Sequence, residues 1–370
     1  MVTVQEIINA METLAPIHLA ESWDNSGLMV GDRAAVVTGV LTTLDLTTNA
    51  IQQAIKTNCN LIISHHPLIF KGVKHIDKSD ALGNLIFSLI ENNIAVYSAH
   101  TNLDVTEGGL NDMLASALGL TDVKGFIKTS SRINYKVTTF CPIESSDAVR
   151  YAMGQVGAGV IGDYTDCSFT TTGTGRFKGN DESNPVVGEK EVLATVAEEC
   201  INVIVSKKDL PNVLAALMAA HPYEEVAYEV IQLEAPQQHD YLGRIGTLPK
   251  VMTLDELKQY VQNVLGISQV RCGGVPCDAI KRIALCSGAG ASFIGDLNTQ
   301  NVDAYITGDM KYHDAQLAKE KGLLVVDAGH FGTEHIVANG LAQYLNGVSS
   351  QKNWGNLPII AFEEQEDFFF

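Results

Sequence analysis

Two adjacent histidines, His65 and His66, close an apolar run that reads Leu61-Ile62-Ile63-Ser64-His65-His66-Pro67. Histidine is the commonest metal ligand, because a neutral imidazole offers a nitrogen lone pair near physiological pH. Leu61-Ile62-Ile63 reads as a buried strand, which puts the histidines in the loop beyond its carboxyl end. In open α/β sheets, ligands gather at that end of the strands. Neighbouring side chains point in different directions, so the pair can serve two metal ions or two faces of one site. The other reading is one packed and one exposed histidine.

Asp104, His330 and Glu334 extend the pair into a metal-binding hypothesis. Ala99-His100-Thr101-Asn102-Leu103-Asp104 aligns with Gly329-His330-Phe331-Gly332-Thr333-Glu334. Each segment follows a strand pattern, and each places a histidine four positions before a carboxylate. Imidazole and carboxylate together suit zinc, and they also accept iron or manganese. Five such ligands, with one carboxylate bridging, fit two ions about 3.5–4 Å apart. Such a pair would lower the pKa of a bound water, and the resulting hydroxide would attack an electron-poor carbon. Glu334 is expected in the first turn of a helix over Thr333–Leu345, where the helix dipole favours an anion. Asp104 is expected just before a helix over Gly109–Leu118. Taken singly, His330 with Glu334 also reads as a surface hydrogen bond, and Asp104 as a turn or cap residue.

Other residues carry weaker signals. His100 and His313 are candidates for proton transfer or for supporting ligands from behind; a packed or solvated histidine fits each as well. Trp23-Asp24-Asn25-Ser26-Gly27 reads either as a loop lining the site or as a turn with Asx hydrogen bonds. Gly288-Ala289-Gly290 follows a strand and could hold an anion on backbone amides, but no Lys-Ser/Thr follows, so it is no P-loop. Lys71, Lys74 and Lys311 lie near the proposed loops without a phosphate-motif context. The tail Asp367-Phe368-Phe369-Phe370 reads as a docking segment or a loose end.

The elements that must position these residues alternate. In the first third, helix patterns at Val4–Leu14, Asn49–Thr57, Ala81–Asn92 and Gly109–Leu118 interleave with strands at Val36–Leu44, Leu61–Ile63 and Ile94–Ser98. The last third repeats the rhythm, with strands at Ile283–Leu285, Ala304–Ile306 and Leu323–Val326. Alternation predicts a mainly parallel sheet covered on both faces. The middle instead reads β-α-β-β-α-β, the ferredoxin-like order. Its strands are Lys136–Cys141, Cys167–Arg176, Val192–Cys200 and Val226–Leu233, its helices Ser146–Val156 and Leu210–Ala220. Gly173–Gly188 reads as a long hairpin loop and Ala235-Pro236-Gln237-Gln238 as an exit linker. The expected architecture is α/β: two related halves, residues 1–126 and 241–370, form one metal-binding domain. A ferredoxin-like α+β domain, residues 127–240, is inserted between them. Insertion implies that residues 126 and 241 lie close together.

The chain has 370 residues, 46% of them hydrophobic, and a formal charge of −18, which suits a multidomain globular protein. That charge argues against a nucleic-acid partner held by phosphate neutralisation. Seven cysteines, an odd number, show no paired zinc-ribbon spacing and read as reduced thiols of a cytoplasmic protein. The N-terminus lacks signal-peptide character, and no apolar run is long enough for a bilayer.

Ala20-Glu21-Ser22-Trp23-Asp24-Asn25-Ser26-Gly27-Leu28, Ser64-His65-His66-Pro67-Leu68, His100-Thr101-Asn102-Leu103-Asp104, Thr307-Gly308-Asp309 and Gly329-His330-Phe331-Gly332-Thr333-Glu334 together resemble the Nif-three-like family. That family is also labelled GTP cyclohydrolase 1 type 2 homologs. The resemblance covers both outer parts of the chain. It implies a di-metal site with ligands at His65, His66, Asp104, His330 and Glu334, and a homohexameric, toroid-like assembly. The middle block, with His221-Pro222-Tyr223-Glu224-Glu225, resembles the PII/CutA-like insert of longer bacterial members.

Two functions follow as expectations. The first is a metal-dependent hydrolase of a small polar or nucleotide substrate, with GTP the candidate by resemblance. The second is a metal-dependent regulatory or ligand-binding protein without turnover, in which the insert senses a small ligand or mediates assembly.

Overall fold

Three strands, Val40–Thr43, Leu61–Ser64 and Ala95–Ser98, are buried at every position. Continuous burial is what a parallel, doubly covered sheet demands, and these strands do pair in parallel. The computed structural model describes residues 1–131, 134–162, 164–234, 239–299 and 302–369. It sets these strands in a five-stranded sheet ordered Gly27–Val30, Ala95–Ser98, Leu61–Ser64, Val40–Thr43, Ile359–Ala361. A second, six-stranded sheet is ordered Arg271–Gly274, Leu324–Asp327, Ala304–Thr307, Ile280–Leu285, Arg244–Met252, Thr121–Gly125.

The first four strands of the two sheets follow one plan. Three central strands are parallel, and an earlier strand closes one edge antiparallel. The first sheet is mainly parallel, as the alternation predicts, with three of its four pairings parallel, whereas the second has two parallel pairings of five. The departing strands Gly27–Val30 and Arg271–Gly274 are short and glycine-bearing, so they carry little strand signal of their own. Arg244–Met252 also runs antiparallel to both of its neighbours.

Helix starts are locally encoded. Thr3 and Glu6 form a capping box on Val4–Leu14, and Thr253 and Glu256 form another on Leu254–Leu265. Each box satisfies amide groups that a helix start leaves unbonded. Ile7, Ile8 and Met11 then pack with Leu61, Ile63 and Tyr97, and with Leu341 and Leu345 from near the chain's end. The helix expected over Thr333–Leu345 is two helices, His330–Glu334 and Val337–Lys352. Glu334 therefore ends a short helix rather than opening a long one, and the dipole argument for it fails. Asp104 precedes the helix Leu110–Ala117, as expected, but lies inside a short helix of its own, Thr101–Val105.

By its contacts the chain divides into two compact units, residues 1–129 with 240–370, and residues 130–239. The second unit runs Asn134–Pro142, Ile143–Gly154, Ser168–Phe177, Ala194–Ser206, Leu210–Ala220, Tyr228–Gln232, a β-α-β-β-α-β succession. Its four strands pair antiparallel, with Asn134–Pro142 and Ala194–Ser206 in the centre. Val137, Val149, Met153, Ile201, Val213 and Leu217 form its own core. The strand Ser168–Phe177 extends into the expected hairpin loop at Gly173. The proposed linker, residues 235–238, lies outside the described residues. In the first unit, Phe126 N donates to Gly243 O at 3.3 Å and Leu242 N to Ile127 O at 2.9 Å, so the two segments meet there.

Arg244 fastens the first unit internally. It is 5% exposed, and its Nε and Nη2 donate to Asp112 Oδ1 at 2.6 Å and Oδ2 at 2.8 Å. The same guanidinium donates to the carbonyls of Tyr241, Gly243 and Thr106. Removing one member of such a pair leaves the rest desolvated and unbonded. Arg244→Met is expected to cost about 3 kcal/mol of stability. Arg244→Lys should recover only part, because an ammonium lacks the planar fork. Urea denaturation followed by circular dichroism measures both; unchanged midpoints would refute this role.

Candidate metal centre

The loop after Leu61–Ser64 turns because the His65 and His66 amides both donate to Leu44 O, at 3.2 and 3.0 Å. The turn delivers two imidazoles to one spot with different orientations. His65 is wholly buried, and its Nδ1 lies 2.8 Å from Ala99 O. A carbonyl only accepts, so that nitrogen carries the proton and Nε2 keeps a bare lone pair. His65 Nε2 is buried and has no hydrogen-bond partner among the described residues. An unpartnered buried lone pair is costly, and a cation satisfies it.

The other imidazoles follow the same plan. His66 Nδ1 lies 2.8 Å from Asp45 Oδ1, His100 Nδ1 2.7 Å from Asp24 Oδ1, and His330 Nδ1 2.8 Å from Asp309 Oδ2. A carboxylate behind a histidine fixes its orientation and raises its basicity as a ligand. Glu334 Oε2 sits among the opposite nitrogens, 3.0 Å from His66 Nε2, 3.1 Å from His330 Nε2 and 3.9 Å from His65 Nε2. Asp104 Oδ1 lies 3.6 Å from His65 Nε2. Three overlapping groups offer donor atoms within 4.8 Å of one another: His65, His66 and His100; His66, His330 and Glu334; and His65, Asp104 and Glu334. These residues could hold a metal ion. Glu334, His65 and His66 each belong to two of these groups.

Charge follows from this packing. Burial lowers the His65 pKa to about 3, despite attraction from Glu334. Burial also works against a charged His66, but hydrogen bonds to Asp45 and Glu334 outweigh it and raise it to about 10. The hydrogen bond to Glu334 dominates at His330 and raises it to about 9, against burial. Burial would raise Glu334, but its bonds to His330 and His66 hold it well below the ordinary carboxylate range. Asp104 is pushed well up by burial and then by Glu334.

Asp104, His65, His66, His330 and Glu334 thus converge as their spacing suggested, and His100 joins them. His313 does not. It is exposed on the helix Tyr312–Glu320, with Nδ1 3.3 Å from Gln316 Oε1. Gly288 and Gly290 hold no free anion cradle, because their amides donate to Thr333 Oγ1 at 3.0 Å and Thr307 Oγ1 at 3.1 Å. Gly288 matters differently. Its φ is +57°, and a Cβ there would lie 2.2 Å from Glu334 Oε1.

Asp45 and Gln365 escaped the sequence reading, and Asp309 entered it only as part of the segment Thr307-Gly308-Asp309. Asp45 and Asp309 had neighbouring strand ends as a signal, in Leu44-Asp45 and Thr307-Gly308-Asp309. Gln365 had none. Its Oε1 accepts from Leu44 N at 2.8 Å and its Nε2 donates to His335 O at 3.0 Å. One side chain thereby links the backbone behind His65 and His66 to the backbone beside Glu334. Asp24 was seen only as part of a loop. Besides His100, it accepts from Thr101 N at 3.1 Å, and the Ser26 hydroxyl lies 3.0 Å away.

Two mixed α/β sheets whose strand-end loops gather histidines and carboxylates define an α/β protein with a candidate metal centre. The chain matches the Duf34/NIF3 (NGG1p interacting factor 3) family over residues 2–367, and it belongs to that family. A Bacillus subtilis relative named "GTP cyclohydrolase 1 type 2 homolog" is 36% identical over 99% of this chain and 98% of its own. A Staphylococcus epidermidis relative of the same name is 37% identical over 99% of both chains. The crystal structure of a Bacillus cereus protein related to NIF3 superposes with a TM-score of 0.81 at 36% identity, covering 100% of this chain and 99% of its own.

The electrostatics predict the pH profile of the metal-free protein. His66 and His330 are raised from 6.5, so their contribution is full below pH 6.5 and lost as pH rises through about 9 to 10. Glu334 is lowered from 4.5, so its contribution holds above 4.5 and is lost as pH falls below it. Metal-stripped protein should therefore be most stable between about pH 4.5 and 6.5 and lose stability steadily above that. Denaturation across pH, with imidazole titration by NMR, tests this. Stability still rising at pH 10, or His66 titrating near 6.5, would contradict the pairing.

Proposed function

We propose that this chain is a di-metal protein and a hydrolase of a small polar or nucleotide substrate. The observation that carries this is the inward set of donors, with His65 Nε2 buried and unpartnered and three other imidazoles held from behind by Asp45, Asp24 and Asp309. His66, His330 and Glu334 would hold one ion, and His65, Asp104 and Glu334 the other. Zinc suits the donor set best, with iron or manganese as alternatives. Bound ions supply Lewis acidity for attack by water.

The chain's own residues do the rest. Asp45 and Asp309 orient His66 and His330 and keep them basic. Metal uptake must displace the protons that these two imidazoles hold in the metal-free state, so affinity falls as pH falls. His100 stands beside both His65 and His66, with ring centroids at 5.3 and 5.6 Å. Asp24 fixes its orientation, which suits it to hand a proton to a leaving group. GTP is the named candidate substrate, after the relatives' names. Lys71 and Lys74 are exposed and are the cations proposed to meet a phosphate chain.

The remaining readings belong to the same proposal. The first unit is read as two related halves, since both sheets repeat one strand plan. The second is read as an inserted ferredoxin-like, PII/CutA-like domain. We propose a homohexamer in the cytoplasm, where seven free cysteines would stay reduced.

A second reading has its own support. Residues 130–239 form a separate compact unit with a complete core. Such a unit fits a sensor or an assembly element, with the metal site structural and no turnover.

Metal analysis and a turnover screen separate the two. Wild type is expected to bind two equivalents of zinc, and His65→Ala and Glu334→Ala about one or fewer. On a panel of GTP and other cyclic amides, the variants should lose at least about 100-fold in turnover. Gly288→Ala should behave like Glu334→Ala, since its Cβ displaces that carboxylate. Full metal occupancy in wild type without turnover on any compound would favour the second reading. Full occupancy in Glu334→Ala would overturn the site itself.

A further inference from the structure

Within Trp23-Asp24-Asn25-Ser26-Gly27, the polar residues have partners that explain them. Asp24 holds His100 and Thr101. Asn25 Nδ2 donates to Ile69 O. The Ser26 hydroxyl lies 2.9 Å from Asn102 Oδ1. Trp23 is different: it stays 59% exposed. Phe70, next to the carbonyl that Asn25 grips, stays 44% exposed. Their ring centroids are 5.9 Å apart, and they lie 6.2 and 6.4 Å from the His100 ring. Rings therefore run without a break from an exposed aromatic wall to His65 and His66. The Asn25 bond ties the two loops together, so the wall is held in place beside the centre.

Single exposed apolar side chains are ordinary. Two large aromatic rings, fastened to each other's loops and abutting a buried cluster of charged groups, are a recognition surface. Binding sites combine apolar walls with a few convergent polar groups. The two rings are tilted 51° to each other, so they form a corner in which one ring takes the face of a flat ring and the other meets its edge, with the remaining edge turned toward the polar groups.

We propose that Trp23 and Phe70 are specificity-determining residues, Trp23 stacking on the face of a planar heteroaromatic ring and Phe70 packing on its edge, so that the free edge is presented to His100 and the carboxylates. This rests on the reading of the centre as acting on a small polar or nucleotide molecule, and it assigns the residues that would recognise that molecule's ring. The wall contributes binding and leaves the chemistry to the centre. It is expected to set KM while leaving kcat nearly unchanged. An exposed cation follows directly at Lys71, so an anionic substituent on the ring is accommodated.

The test uses the full chain in metal-stripped and zinc-loaded forms. Guanosine, adenosine and cytidine serve as ring probes without phosphate, and inorganic tripolyphosphate as a phosphate probe without a ring. Calorimetric titration of wild type, Trp23→Ala, Trp23→Phe and Trp23→Ala/Phe70→Ala reads the affinities. Trp23→Ala should weaken the best nucleoside about tenfold or more, and Trp23→Phe should restore most of it. Tripolyphosphate affinity and zinc content should not change. The proposal is overturned if Trp23→Ala binds nucleosides as wild type does, or if wild type binds none of them. It is equally overturned if Trp23→Ala changes the oligomeric state and leaves nucleoside affinity intact, since the wall would then be a contact between copies. Stacking on metal-stripped protein is read without any turnover, so a failed wall and a failed hydrolase give different results.

Discussion

Glu334 keeps a negative charge almost entirely out of water, between His66 Nε2 at 3.0 Å and His330 Nε2 at 3.1 Å. A lone buried carboxylate is so costly that it would take up a proton instead. Two imidazoles prevent that, but only because each has an acceptor of its own behind it. Asp45 and Asp309 are therefore as necessary to Glu334 as its direct partners. Asp104 adds a further buried carboxyl group, pushed toward its protonated form by burial and by Glu334. The protons held by Asp104, His66 and His330, and the bare lone pair of His65 Nε2, mark positions that a metal ion could take.

The fold answers this demand by using one strand plan twice. In each sheet, three parallel strands end at the loops that carry the donors. Val40–Thr43 leads to Asp45, Leu61–Ser64 to His65 and His66, and Ala95–Ser98 to His100 and Asp104. In the other sheet, Ile280–Leu285 leads to Gly288, Ala304–Thr307 to Asp309, and Leu324–Asp327 to His330 and Glu334. A histidine four residues before a carboxylate recurs because each sits on a one-turn helix at equivalent strand ends. Rigid strands set such a site more accurately than free loops would. The last stretch of chain then closes the arrangement. Ile359–Ala361 extends the first sheet, Phe362 is buried, and Gln365 bridges Leu44 and His335.

Much of this was legible beforehand. Apolar runs followed by His65-His66, and the echo between residues 99–104 and 329–334, pointed to all five proposed ligands. Helices with strong caps or periodicity, such as Val4–Leu14, fell where expected. Mixed sheet edges were not legible, because Gly27–Val30 and Arg271–Gly274 acquire strand geometry from their neighbours rather than from their own residues. The short helix His330–Glu334 and its break from Val337–Lys352 were also invisible, since His330-Phe331-Gly332-Thr333 are weak helix formers and Thr333–Leu345 reads as one continuous segment. Gly288 looked like an anion loop from its glycines, whereas its role is to leave room for a carboxylate.

Local chemistry is written in the sequence by itself. Residue type decides which side chains can donate to a metal, and short-range periodicity decides which segments become strands and helices. Those two kinds of information identified His65, His66, Asp104, His330 and Glu334 and put them at strand ends. Only the tertiary structure decided which acceptor stands behind each imidazole, a backbone carbonyl for His65 and carboxylates for His66, His100 and His330, that His100 joins the cluster while His313 does not, and that Trp23 and Phe70 meet beside it. Protonation was decided there as well. His65 stays neutral and His66 stays charged, although the two are adjacent in sequence and identical in type. Burial and partners from distant segments set those charges, and neither can be read from a residue's neighbours along the chain.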